Sequence, residues 1–272
     1  MKLWIALISL ALQFCVGSAT NAQTEAHIQS GDATISLAVW GEFEQAEQAV
    51  VLVPGWGGGP LDVLGLGEFL STRGTPVVVL SPRGWHGSGG VSTFANALDD
   101  IGSAMQWTRS KFEGDVLLGG HSWGGGMSLA YAARDHSIQH SFSIAGTDHG
   151  QFIRQYQSDP HFAAMVDKIL TATSAPLGEI RFDVEYGLKE MAEGQTIYGL
   201  LENADKFAGR SVLLIGGWDD RNVTVDETLL PLYRALDADA ATELRFLVYH
   251  DNHSFAAVRD ELQLAIYDWM LR

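Results

Sequence analysis

The 272-residue chain carries 33 acidic and 17 basic side chains, which gives it a formal net charge of −16 at pH 7. Nucleic acids and anionic membranes attract basic surfaces, so this balance argues against either as a partner. The single cysteine, Cys15, lies in the apolar N-terminal segment. Once that segment is removed, no disulfide can form, and stability must come from a hydrophobic core.

Residues 1–22 have the three parts of a secretory signal peptide. Lys2 supplies the positive charge, the stretch from Leu3 to Val16 is apolar, and small residues lead to a cleavage point after Ala22. The apolar stretch is about 14 residues long, and a membrane-spanning helix needs roughly 18 or more. We therefore expect cleavage, no stable membrane insertion afterwards, and a secreted or periplasmic protein with one domain at 23–272.

Short apolar strands alternate with helical patterns along the rest of the chain. Such alternation, with strands apolar on both faces, is typical of an α/β fold with a mostly parallel central sheet flanked by helices. Between 148 and 207 the pattern is helical only, which predicts a helical cap inserted after one strand and folded over the active site. Strands are predicted at 33–40 (an edge strand), 48–53, 76–80, 115–119, 140–145, 211–215 and 243–249, and helices outside the cap at 61–73, 94–111, 225–236 and 255–271.

A nucleophile is predicted where the strand 115–119 runs into an Ala- and Gly-rich helix. Residues 120–124 read Gly-His-Ser-Trp-Gly there. This G-x-S-x-G pattern between a strand and a helix is typical of a nucleophile elbow, a sharp turn that exposes a serine hydroxyl. Gly120 and Gly124 would relieve the crowding that Cβ atoms create around such a turn. Ser122 is therefore the candidate nucleophile.

A serine hydroxyl becomes a nucleophile only when a base removes its proton and an acid orients that base. His253, between the last strand and the last helix, is the preferred base, with His250 as the alternative. The acid should follow an earlier strand. Asp220 completes a G-x-x-D-x-x-V spacing there and is preferred, while Asp219 and Asp148 remain as alternatives.

The tetrahedral intermediate of acyl transfer needs hydrogen-bond donors for its oxyanion. We expect these to be the backbone N–H groups of Trp123, after the nucleophile, and Trp56, in the glycine-rich turn after strand 48–53. Trp85, Trp218 and these two indoles all fall on loops at one end of the sheet, which suggests an apolar substrate pocket.

Polar residues on the same loops leave further alternatives open. His86, with Arg83 nearby, could bind a substrate carboxylate or only shape its loop. His136 and His140 are four residues apart, but they span a helix end and a strand start, and no carboxylate or cysteine completes a metal site with them, His149 or His161. We therefore expect no metal and no cofactor.

Five motifs together carry a resemblance to a known family. They are PGWGG at 54–58, SPRGWHGSG at 81–89, GHSWGG at 120–125, GGWDDRNV at 216–223 and DNHSF at 251–255. With them the chain resembles the α/β-hydrolase superfamily over nearly all of residues 23–272. The resemblance implies that the third, fourth and fifth motifs carry the nucleophile, the acid and the base. The fourth and fifth motifs are most similar to those of prolyl-oligopeptidase-like and serine-aminopeptidase-like hydrolases.

The sequence as a whole predicts a serine hydrolase that works through an acyl-enzyme. A carboxylic ester is the expected substrate, since an alcohol needs less protonation than an amine to leave, and a peptide or amide bond is the second candidate. A non-catalytic binding protein that keeps the hydrolase fold is a distant third. The expected partner is therefore a small ester or a short peptide, and the oligomeric state is left open.

Overall fold

The structure, a computed structural model, describes residues 23–61, 63–238 and 242–272. The predicted signal peptide at 1–22 lies outside these ranges. No helix within them is long and apolar enough to cross a bilayer.

Eight strands of the described chain form one sheet in the order β1-β2-β4-β3-β5-β6-β7-β8. Strand β2 is antiparallel to both of its neighbours, and all pairs from β4 onward are parallel. The predicted mostly parallel sheet is therefore confirmed. The strands are β1 (Thr24–Ser30), β2 (Ala33–Trp40), β3 (Gln48–Val53), β4 (Val77–Leu80), β5 (Asp115–His121), β6 (His140–Ile144), β7 (Ser211–Gly217) and β8 (Glu243–Tyr249).

Helices connect the strands and cover both faces of the sheet. They are α1 (Leu66–Ser71), α2 (Phe94–Arg109), α3 (Trp123–Ala132), α4 (His149–Ser158), α5 (Pro160–Thr173), α6 (Val184–Glu193), α7 (Gln195–Tyr198), α8 (Leu230–Asp237) and α9 (Arg259–Met270), with a 3-10 helix at Leu201–Phe207 and a π-helical turn at Val225–Leu229 that runs into α8.

Three sequence predictions about element positions are wrong. The segment 33–40 is not an edge strand, because β1 pairs along its outer side and leaves β2 largely buried. Helix α1 begins at Leu66 rather than at 61, because Leu64 and Gly65 have positive φ angles of 57° and 68°, which no α-helix accommodates. The last helix, α9, begins at Arg259 rather than at 255, where Phe255 has a positive φ angle of 48°.

The core lies in two layers, one on each face of the sheet. Strand β3 shows the division, since Val51 and Val53 pack with α2 and α3 while Val50 and Leu52 pack with α1 and α9. This follows from the two-residue alternation of side chains in a strand. A strand that is buried on both faces has to be apolar where it is buried, as β3 is from Ala49 to Val53.

Helices α4 to α7 and the 3-10 helix all lie between β6 and β7, and we refer to residues 148–207 as the cap. Asp148 ties the two ends of the cap together. Its carboxylate accepts hydrogen bonds from the backbone N–H groups of Gln151, in the first turn of α4, and of Leu200 and Leu201, at the start of the 3-10 helix. The carboxylate is buried, and burial raises its pKa above the usual value.

Candidate active site

Ser122 occupies a strained turn between β5 and α3. Its φ and ψ angles are 57° and −123°, a region that residues with a side chain rarely adopt. A Cβ atom added at Gly120 would lie 2.6 Å from the carbonyl oxygen of Val53, and one at Gly124 would overlap the carbonyl oxygens of Val53 and Pro54. Only glycine fits at either position, so these two residues allow the turn that presents the Ser122 hydroxyl.

The structure brings Ser122, His253 and Asp220 into one chain of hydrogen bonds. His253 Nε2 lies 2.8 Å from Ser122 Oγ, and His253 Nδ1 lies 2.7 Å from Asp220 Oδ2. With the Nδ1 proton donated to the carboxylate, Nε2 is free to accept the proton of the serine hydroxyl. The three residues come from the ends of β5 and β8 and from the turn after β7, which all reach the same edge of the parallel sheet.

Asp220 is held as a charged carboxylate. Burial by itself would raise its pKa, but the hydrogen bond and the charge of His253 outweigh burial and leave the pKa below the usual value. The backbone N–H groups of Asn222 and Val223 add to this effect, at 2.8 and 3.0 Å from the other carboxylate oxygen. An ionised carboxylate at Nδ1 orients the imidazole and stabilises the imidazolium that forms during acyl transfer.

The alternative acids and base lie elsewhere. Asp219 and His250 face each other as a separate pair, 3.2 Å apart, and the His250 side chain is 86% exposed. Asp148 is committed to the three backbone N–H groups of the cap described above. None of the three has a hydrogen bond to Ser122 or His253 among the described residues, so the geometry favours Asp220 and His253 for the two roles.

Both predicted oxyanion donors lie beside Ser122. Trp123 is the first residue of α3, where a backbone N–H has no partner inside the helix. Trp56 follows Gly55, at which an added Cβ would lie 3.4 Å from Ser122 Cβ. The Trp56 indole donates to Thr173 Oγ of α5 at 2.9 Å, which fixes the turn after β3 to the cap.

Ser122 and His253 open into a cavity of about 770 Å³ beneath the cap. Its walls are mainly aromatic and aliphatic side chains, and polar side chains are the minority of the lining. A cavity of this size and character suits a ligand with a substantial apolar part. The cap and the segments facing it contribute Phe94, Phe152, Phe162, Met165, Val166, Ile169, Leu170, Phe182 and Met191.

The predicted pocket of four indoles requires correction, because only Trp56 and Trp123 line the cavity. Trp85 is buried beneath them, 5.5 and 4.9 Å from their ring centroids, and donates to Ser92 Oγ. Trp218 lies on the surface with 54% of its area exposed. Neither of these two indoles is placed to touch a substrate in the cavity.

His86, predicted as a possible substrate contact, also lies outside the cavity lining. Its Nε2 is 3.0 Å from the Gly57 carbonyl oxygen, and its Nδ1 is 3.1 Å from the Glu179 carboxylate. Arg83 is buried and donates to the buried carboxylate of Asp100 at 2.7 Å. Of the two alternatives for these residues, the structure favours a role in shaping the loop.

Sequence reasoning missed His121, the residue before the nucleophile. It is buried, its Nε2 lies 2.9 Å from the carbonyl oxygen of His253, and the two rings contact each other at a tilt of 40° with centroids 4.7 Å apart. Since a neutral Nε2–H can donate to that carbonyl, His121 joins the nucleophile strand to the loop of the base. No pattern indicated this, because the partner is a backbone atom far away in the chain.

His149, weighed as a possible metal ligand, instead lies in the cavity wall with Nε2 3.2 Å from the Trp123 carbonyl oxygen. Within the described ranges, no three His, Cys, Asp or Glu side chains come close enough together to hold a metal ion.

Comparisons with known proteins agree with this architecture. A family model described as alpha/beta hydrolase fold matches residues 48–189. No curated protein matches the chain.

Several solved structures are similar over nearly the whole chain. Est1E from Butyrivibrio proteoclasticus, solved with ferulic acid bound, is 18% identical with a TM-score of 0.65, over 90% of this chain and 98% of Est1E. The Pyrococcus furiosus esterase Pf2001 is 16% identical with a TM-score of 0.69, over 92% and 91%. The Pyrococcus horikoshii acylaminoacyl peptidase is 15% identical with a TM-score of 0.65, over 92% of this chain and 41% of that one. At these identities the likeness is one of fold.

Proposed function

The chain belongs to the α/β-hydrolase fold family, and we propose that it is a serine hydrolase that cleaves carboxylic esters through an acyl-enzyme. The observation that carries this proposal is the hydrogen-bonded chain from Ser122 Oγ through His253 to Asp220 at the base of an apolar cavity. We further propose that residues 1–22 are a signal peptide and that the enzyme acts outside the cytoplasm.

The reaction runs in two halves on this geometry. Ser122 Oγ attacks the ester carbonyl carbon while His253 Nε2 takes the hydroxyl proton, and the carbonyl oxygen becomes an oxyanion held by the N–H groups of Trp56 and Trp123. The intermediate collapses, the C–O bond to the alcohol breaks, and His253 returns the proton to the departing oxygen. Asp220 remains ionised throughout and stabilises the transient imidazolium.

The acyl-enzyme is then cleaved by water. His253 removes a proton from a water molecule, whose oxygen attacks the acyl carbon, and the second intermediate expels Ser122 Oγ with its proton restored. The carboxylic acid leaves, and the site returns to its starting state. The proton transfers use Ser122, His253 and Asp220, which are already linked by hydrogen bonds.

The cavity favours an ester with an apolar acyl group over a peptide. Its walls beneath the cap are apolar, whereas a peptide needs hydrogen-bonding groups for its backbone along the binding cleft. An amide also requires full protonation of a poor leaving group. Peptidase or amidase activity is the second candidate, supported by the fold shared with the acylaminoacyl peptidase. A non-catalytic binding protein remains a distant third.

A substrate panel tests the proposal. Nitrophenyl esters with acyl chains from acetyl to dodecanoyl are compared with aminoacyl nitroanilides, using the wild type and the Ser122→Ala variant. We expect ester turnover that rises as the chain fills the cavity, and a fall of about five orders of magnitude or more in kcat for the variant. Ester turnover that survives the substitution would contradict the mechanism, while faster anilide turnover would identify a peptidase.

A further inference from the structure

We propose that the ester's leaving group carries a carboxylate that binds Arg221 and Arg259 in the lining of the cavity, while an apolar acyl chain fills the space beneath the cap. This inference rests on the proposed function and names its substrate class: esters of an apolar acid with a hydroxy-carboxylate. Hydrolysis adds water across the ester bond and releases the apolar acid and the hydroxy-carboxylate.

The side on which each half of the substrate lies follows from the proton transfer. His253 must protonate the leaving oxygen, so the leaving group lies against the loops that carry His253 and Asp220. These loops, together with the start of α9, contribute mostly polar side chains to the cavity, whereas the cap contributes mostly apolar ones, with His149 and Thr173 as its polar members. The polar members from the loops and α9 are Arg221, Asn222, Ser254 and Arg259. An apolar acyl group and a polar leaving group match this division.

Arg221 is an exposed cation on a fixed turn. It directly follows Asp220, whose carboxylate accepts the N–H groups of the next two residues and so holds the backbone of this turn in place. Among the arginines of the described residues, only Arg83, Arg109 and Arg154 pair with an acidic side chain within 4.0 Å, so Arg221 shares its lack of a carboxylate partner with most arginines of the chain. Arg221 differs from most of these because it lines the active-site cavity, where its guanidinium is available to a ligand.

Arg259 is held beside the base. It is the first residue of α9, and its Nη2 donates to the Ser254 carbonyl oxygen at 2.5 Å while its Nε donates to that of Phe255 at 3.3 Å. A guanidinium has five N–H donors, so three remain for a ligand. It too lacks a carboxylate partner within 4.0 Å in the described part of the chain. Two guanidinium groups in the lining of one cavity suit a carboxylate, whose oxygens accept their paired N–H groups.

The test compares two esters with the same acyl chain, 4-carboxyphenyl octanoate, whose leaving group carries a negative charge, and 4-carbamoylphenyl octanoate, whose leaving group is a neutral amide of similar size. We expect the wild type to have the higher kcat/KM for the carboxylate ester. Arg221→Gln should lower the carboxylate-to-amide ratio of kcat/KM about three- to tenfold, the size expected of a partly exposed ion pair. Arg221→Lys, which keeps the charge but not the planar donor pair, should lower it less.

The matched control is Arg234→Gln, which removes an exposed positive charge from α8, outside the cavity lining, and should leave the ratio at its wild-type value. Raising the salt from 50 to 500 mM should lower the ratio in the wild type and much less in Arg221→Gln.

The outcomes separate the inference from the proposed function. A wild type that hydrolyses the neutral ester well but shows no preference for the carboxylate would overturn the inference and leave the esterase proposal intact. Equal shifts in the Arg221→Gln and Arg234→Gln variants would also overturn it, since they would reflect overall charge. A folded protein that cleaves neither ester would instead count against the proposed function.

Discussion

His121 and His149 are buried around Ser122, and both are held neutral at physiological pH. Burial lowers the pKa of His121 from 6.5 to about 4, assisted by the nearby charge of His253. Burial lowers the pKa of His149 to about 4 as well, and its hydrogen bond to the Trp123 carbonyl offsets only part of that effect. A neutral His121 can donate to the His253 carbonyl without bringing a second positive charge next to the base.

These two histidines predict a loss of stability in mild acid. The unfolded chain binds protons on both below about pH 6.5, whereas the folded protein does not until about pH 4, so the free energy of unfolding falls as the pH drops through this window. Each contributes up to about 3 kcal/mol at the lower limit. Urea unfolding midpoints at pH 7.5, 6.5, 5.5 and 4.5 measure the decline.

Variants assign the effect to these side chains. His149→Gln should flatten the decline, while His250→Gln, which removes an exposed histidine, should not. Asp100 and Asp148, whose pKa values are raised by burial, act in the opposite direction, but they are the same in all three proteins and do not affect the comparison. Equal slopes for His149→Gln and the wild type would contradict this account.

The role of a residue can be predicted from the sequence when the residues that shape its conformation are close to it in the chain. Ser122 is recognisable because the glycines that permit its backbone conformation are two residues away on either side. The choice between Asp219 and Asp220 was harder, since neighbouring residues on a turn point in different directions and only the fold shows which one meets His253. His121 was missed because its partner is a backbone carbonyl that no sequence motif marks.

At the scale of elements, the buried carboxylate of Asp148, the first residue of the cap, connects the two ends of the cap. Asp148 accepts hydrogen bonds from N–H groups at both ends of the cap, and its side chain is buried. By contrast, Asp159 caps α5 alone, accepting from the N–H groups of His161 and Phe162 nearer the surface.

The contrast yields a prediction for the two alanine variants. Asp148→Ala leaves three backbone donors without an acceptor and should lower the free energy of unfolding by about 3 kcal/mol or more. Asp159→Ala removes an ordinary helix N-cap and should cost about 1 kcal/mol. Urea unfolding at pH 7.5 measures both changes. A cost for Asp148→Ala no larger than that for Asp159→Ala would contradict the role assigned to Asp148.

Element types were more predictable than element edges. Strands β3, β4, β5 and β7 are largely apolar runs that a sheet covered on both faces can bury, and all strands from β3 to β8 were predicted within a few residues. Strand β1 was not, because its sequence TEAHIQS is mostly exposed and carries little apolar signal. The start of α1 depends on the positive φ angles at Leu64 and Gly65, and the first of these is unusual for a leucine.

At the scale of the whole molecule, the arrangement of apolar and polar side chains around the cavity determines which substrates can bind. Apolar side chains from the cap face polar ones from the loops of the acid and the base, and these segments are far apart in the sequence. The sequence predicted that the four indoles would line one substrate pocket, yet the fold buries Trp85 beneath the cavity wall and leaves Trp218 on the protein surface. Which side chains of a loop turn inward depends on packing between distant segments, which residue patterns do not contain.

The measurement that tests the central claim most directly is covalent labelling of the folded protein with a fluorophosphonate, with the labelled peptide identified by mass spectrometry. Asp219→Asn and Asp220→Asn form a matched pair for it. We predict a single label on Ser122, formed at nearly the wild-type rate in Asp219→Asn and about a thousandfold or more slower in Asp220→Asn, where the imidazole loses its orienting carboxylate. Labelling at another residue, no labelling of folded protein, or a slow reaction only in Asp219→Asn would contradict the proposed triad.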